Sequence, residues 1–186
     1  MNTRTLATVI VFAALTVALN ISPIKIPAPY APFLIYQIWE IPILAAFLLF
    51  GTGTVILIAL INTAALLAFF PGALPTGPLY NLAAILSMLL GVGITKLLVE
   101  KHSVKNEIFI ASVFTMSGIL FRTVSMVFLN YALLRFPPPV GYGMPEAAII
   151  ATIPLVTIFN VTLALYTIPL GYSLAKAVTT NLKLVK

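Results

Sequence analysis

The run Ile108-Phe-Ile-Ala-Ser-Val-Phe-Thr-Met-Ser-Gly-Ile-Leu-Phe-Arg-Thr-Val-Ser-Met-Val-Phe-Leu-Asn-Tyr-Ala-Leu-Leu134 decides the fold class. It is apolar over more than the roughly 20 residues that a helix needs to cross a hydrocarbon core. Its only charge is Arg122, near the middle. An arginine there costs on the order of 3 kcal/mol on insertion scales, so such residues face a bundle interior and are paired. Thr115, Gly118, Arg122, Met126 and Asn130 recur at spacings of three and four, which places them on one helix face. That face reads in two ways: as the lining of a pocket, or as a structural arginine satisfied by buried carbonyls.

Working outward, Gly, Pro and charge clusters cut the chain into six such runs. They are Leu6–Ile21, Glu40–Phe50, Thr54–Phe70, Leu79–Val99, Ile108–Leu134 and Ala147–Ala175. Of 186 residues 61% are hydrophobic and 8% charged, roughly a third of the charged share of a soluble domain. The expected fold class is therefore an all-α integral membrane protein: one transmembrane domain, 1–186, a six-helix bundle in a cell membrane. Arg4 before the first run would suit a signal peptide, but no small-x-small cleavage site precedes Ser22-Pro23. That run is read as the first helix.

An even number of spans puts both termini on one side. Arg4, Lys96, Lys101, Lys105, Lys176, Lys183 and Lys186 fall there, against Lys25 and Arg135 opposite. Lys and Arg accumulate in cytoplasmic segments, so both termini are expected in the cytoplasm. His102 lies in that cytoplasmic connection and reads as a solvated residue. The net charge of +6 thus reports topology and not nucleic-acid binding.

The opposite connections are rich in proline and aromatics: Ser22–Trp39, Pro71–Pro78 and Phe136–Gly143. Proline lowers the entropy of an ordered loop, and such segments either form a lid over a cavity or serve as stiffened connectors. The second run is too short to cross alone at about 1.5 Å per residue. Either its helix begins earlier, near Phe33, or the preceding loop dips into the membrane, which requires a protein or cavity lining.

Asn160 lies at a depth similar to Arg122, while Asn81, beside Tyr80, sits near the outer end of the fourth run and Asn62 in the third. Each asparagine alone fits an interhelical bond as well as a ligand contact; with Arg122 they suggest a polar cluster in the outer half. Glu40 before Pro42 fits a helix N-terminus first and a pocket lining second. There is no Gly-rich loop ending in Lys-Ser or Lys-Thr, no Asp, no cysteine and no acid/His set at metal spacing. No enzyme activity and no metal site are expected.

These residues resemble a family. Glu40-Ile-Pro-Ile-Leu-Ala-Ala-Phe-Leu-Leu-Phe-Gly51 with Thr52-Gly53 is similar to the second and third helices of substrate-binding (S) subunits of energy-coupling-factor (ECF) vitamin transporters. Gly77-Pro-Leu-Tyr-Asn81 resembles the start of the fourth helix in their riboflavin-specific branch. Arg122-Thr-Val-Ser-Met-Val-Phe-Leu-Asn-Tyr131 resembles the fifth helix and Ile153-Pro-Leu-Val-Thr-Ile-Phe-Asn160 the sixth. The likeness covers most of the chain in order.

The resemblance implies a subunit that captures a vitamin, riboflavin first, from outside. A membrane coupling subunit and two ATPases would drive uptake, with no resident cofactor and riboflavin only as cargo. It makes Asn81, Asn130 and Asn160 ligand contacts, with Trp39 and Glu40 near the pocket, and the helix faces read above add Tyr80, Arg122 and Met126 as candidate substrate-binding residues. Two departures bear on the substrate: Val161-Thr-Leu-Ala follows Asn160 where the flavin branch often has a lysine, and Asn62 or Thr63 replaces a lysine in the third helix. The rivals are an S subunit for another vitamin, a stand-alone channel or facilitator, and a membrane scaffold. In the first run Ala7, Val11, Ala14 and Ala18 share a face. Ala14-x-x-x-Ala18 resembles the pair by which S subunits meet their coupling subunit; internal packing is the alternative use of so small a face.

Overall fold

The computed structural model describes residues 3–69 and 74–182. Phe70 at the end of the third expected span, the first residues of the Pro71–Pro78 connection, Lys183 and Lys186 lie outside them, as does the side chain of Arg4. Among the described residues the order is α1 (Thr3–Ile21), β1 (Ile26–Ala28), β2 (Ala31–Tyr36), α2 (Glu40–Phe50), α3 (Thr52–Phe69), α4 (Gly77–Lys101), α5 (Glu107–Leu133) and α6 (Glu146–Leu182).

The helix boundaries follow local chemistry. Glu40 and Pro42 occupy the first turn of α2, where an acid complements the dipole and proline's missing N–H breaks no helical bond. Gly51 ends it at φ 83°, a left-handed conformation that a Cβ disfavours, and its N–H bonds Phe47 O. Asn106 caps α5, its side chain accepting from the Phe109 N–H at 3.1 Å. Pro154 and Pro169 sit inside α6, which continues through both. By length and composition α3, α4, α5 and α6 are long and apolar enough to cross a membrane, while the apolar stretch of α1, Thr5–Ile21, and α2, Glu40–Phe50, are shorter.

The six helices agree with the expected all-α class, and the segment before α2, expected only as a proline- and aromatic-rich connection, carries strand as well. Residues 26–36 form an antiparallel hairpin, with Ile26 opposite Tyr36 and Pro27 opposite Ile35. β2 also excludes a start of α2 near Phe33. Phe33, Ile35 and Tyr36 favour extended backbone, and a two-stranded ribbon leaves its prolines on open edges.

α2 forms the centre. Ile43, Leu44, Ala46 and Phe47 are buried with Val9 and Ala13 of α1, Val55 and Ile58 of α3, Ile85 and Val92 of α4, Phe114 of α5 and Ile168 of α6. Around this core the outward side chains are also apolar, as at Ile108, which is 81% exposed, and at Met116 and Phe128. That surface suits lipid and not water. α5 and α6 cross closely at Gly118, where a Cβ would meet Ile168 Cδ1 at 2.4 Å.

The bundle has two unlike ends. Lys176 of α6 pairs with Glu107 at the start of α5, and Lys96 near the end of α4 lies over the Phe47 ring of α2. At the other end Tyr80 of α4 donates to Val140 O in the α5–α6 connection. Glu40, the first residue of α2, contacts Arg122, about three turns or roughly 16 Å inside the end of α5. α2 therefore begins deep in the bundle, and the chain before it descends to that depth.

Candidate functional site

The α5 face read from the sequence is the buried one: Thr115, Gly118, Arg122, Met126 and Asn130 all point inward. Arg122 is 2% exposed. Its Nη1 donates to Glu40 Oε2 at 2.6 Å and its Nη2 to Glu40 Oε1 at 3.0 Å, a bidentate pair. Its Nε donates to Asn160 Oδ1 at 2.9 Å, and Nη1 also lies 3.8 Å from Met88 Sδ. The Asn160 amide nitrogen donates to Val156 O at 2.8 Å, which fixes the orientation of the carboxamide. One guanidinium thus ties α2, α5 and α6 together, with α4 at its edge.

Arg122 and Asn160 do belong to one cluster. The arginine is satisfied by a carboxylate and a carboxamide instead of by buried carbonyls, and the Glu40 side chain is committed to that pair instead of to capping. Asn62 does not join them. It lies 3.4 Å from the amide of Asn20, a bond that ties α3 to α1.

The remaining candidates divide. Met126 packs with Ala84, Val156 and Tyr80 in a small apolar cluster one turn from Arg122 toward the Leu133 end of α5. Asn130 stands a further turn along, its amide donating to Met126 O at 2.7 Å. Its carboxamide oxygen has no partner among the described residues. Trp39 is buried against the core beside Glu40. Asn81 is exposed and separate from the cluster. Ala7, Val11, Ala14 and Ala18 are all exposed, while α1 packs through Val9, Ala13, Thr16 and Asn20. Internal packing is therefore not the use of that small face.

Sequence reasoning missed the contacts that hold the hairpin. Tyr36 Oη is 2.6 Å from Thr162 Oγ1 and 2.6 Å from Tyr30 Oη, and its ring packs on Phe159. Tyr166 donates to Gln37 O at 2.6 Å. Tyr36, Gln37, Thr162 and Tyr166, with Ile24, Ile26 and Ile38, line a cavity of about 320 Å³ between hairpin and α6. The available signal was Tyr166, a phenol within an apolar helix, since its hydroxyl needs a partner there. A second cavity, of about 460 Å³, opens at the other end beside Glu107, Tyr172 and Lys176.

No family profile and no curated protein matches the chain. Among solved structures it is similar to the S component of a bacterial ECF transporter, with a TM-score of 0.75 and 25% identity over 97% of this chain and 98% of the other. The likeness runs from end to end. The chain is a membrane protein with the fold of an ECF transporter S component.

Proposed function

We propose that the chain is the substrate-binding subunit of an ECF-type importer and that its cargo is riboflavin. The observation that carries this is the end-to-end S-component fold built around a buried polar cluster at mid-depth. Asn130 and Asn160, the two deep asparagines whose surroundings resemble the riboflavin branch, are both buried in that interior. Riboflavin is a flat tricycle with an imide edge of alternating donors and acceptors. A carboxamide offers the complementary pair, and Asn130 has an unengaged oxygen for it. Tyr80 and Met126 supply the apolar and aromatic surface that a flat ring packs against.

The hairpin lies against α6 at the depth of this cluster through Tyr36 and Tyr166, which suits a cover over the captured ligand. Six spans with both termini cytoplasmic place the hairpin connection outside, and the charged end with Lys96, Lys101, Lys105 and Lys176 inside. A membrane coupling subunit and two ATPases supply the energy, and the exposed Ala7, Ala14 and Ala18 face of α1 meets the coupling subunit. A stand-alone channel fits less well. Among the described residues, the ion pair and the apolar core below it, with Ile43, Phe47, Val92 and Ile168, leave no continuous polar path.

Trp39 is the only tryptophan and adjoins Glu40, so its emission reports on the cluster. Titrated riboflavin is expected to quench it at one equivalent, with matching heat in calorimetry. Unchanged emission together with no heat rules riboflavin out.

A further inference from the structure

Glu40 and Arg122 are the only buried charged side chains among the described residues. Their charges cancel, and what they leave unused limits what the site can accept. A guanidinium has five N–H groups and its partner carboxylate two oxygens. Both Glu40 oxygens and both terminal nitrogens of Arg122 are joined in parallel, Nε is held by Asn160, and Met88 Sδ lies against Nη1. A single N–H, on Nη2, is left. Without Glu40 the same guanidinium would present its fork, the geometry that grips carboxylates and phosphates, to the interior.

Resting on the function proposed above, we infer that the site is built for an uncharged substrate and that Glu40 is the residue that excludes anions. An incoming phosphate or carboxylate finds Arg122 already neutralised and meets the Glu40 charge within the same low-dielectric layer. Among the described residues no other buried cation is at hand to compensate it. The preference is thus set by a side chain that need not touch the substrate, which makes Glu40 a specificity-determining positioning residue.

The test compares riboflavin with riboflavin 5′-phosphate on the purified full chain, read by Trp39 emission and calorimetry. Wild-type protein is expected to prefer the neutral flavin by about tenfold or more, and Glu40→Gln to shrink that ratio by about tenfold, the scale of one charge-assisted hydrogen bond. Equal affinities in the wild type, or an unchanged ratio in folded Glu40→Gln, overturn the inference. Glu40→Asp keeps the charge and is expected to keep the preference, so its loss there also overturns the inference even if Glu40→Gln fails to fold. Absence of binding by either flavin defeats the riboflavin reading and this inference with it, whereas equal binding of both defeats the inference alone.

Discussion

Replacing Arg122 by leucine removes the positive half of the buried pair and leaves Glu40, itself 2% exposed, without its partner. Breaking a buried ion pair from one side costs about 3–5 kcal/mol, because the surviving charge is stranded away from water. The Asn160 oxygen loses its donor as well, a term of about 1–3 kcal/mol that partly overlaps the first. Arg122→Leu is therefore expected to be destabilised by about 3–5 kcal/mol and, where it folds, to bind riboflavin more weakly by about 1–3 kcal/mol. The double variant Arg122→Met with Glu40→Met removes both charges together. Apolar replacement of a whole buried pair is often neutral, so the double variant is expected to regain most of the stability that the single one loses. Thermal unfolding of the purified proteins in one detergent, followed by Trp39 emission, measures both. A single variant as stable as wild type, or a double variant no better than the single, refutes the coupling drawn between these residues.

Topology is open to cysteine labelling, since the chain has no cysteine of its own. An impermeant thiol reagent on intact cells is expected to label Tyr142→Cys and spare His102→Cys, and labelling at 102 rejects the orientation. Ala14→Trp with Ala18→Trp alters an exposed face of α1, so the protein should fold and bind riboflavin but no longer co-purify with the proposed coupling subunit. Full uptake by that variant, or its unfolding, ends the docking proposal. Gly118→Val puts side-chain atoms where even a Cβ would lie 2.4 Å from Ile168. It is expected to cost about 1–3 kcal/mol in thermal unfolding, and no loss would mean that the α5–α6 crossing is looser than described.

The helices were legible because a bilayer imposes a length, and the apolar runs supply it; α2, α4 and α5 begin or end within a few residues of the expected limits. The buried face of α5 was legible from spacing alone, since Thr115, Gly118, Arg122, Met126 and Asn130 repeat with the helical period. The partner of Arg122 was not named, although the signal existed. The chain has four acidic residues, and Glu40 alone adjoins an apolar run without lying at the lysine-rich end or beside the Phe136–Gly143 connection. The hairpin was hidden because its strands are short, interrupted by Pro27 and Pro32, and lack a clean alternation. Asn20 pairs with Asn62 through tertiary approach of α1 to α3, which local periodicity does not encode. Asn81 shows the limit of reasoning by position. It follows Tyr80 in sequence yet is exposed while Ala84 and Met88 of its own helix are buried.

The absorption spectrum of the protein, purified from riboflavin-fed cells and washed free of unbound ligand, bears most directly on the capture of riboflavin. The account predicts a yellow protein with the flavin absorption bands at one flavin per chain, released chemically unchanged on denaturation. A colourless protein that also fails to take up added riboflavin contradicts it.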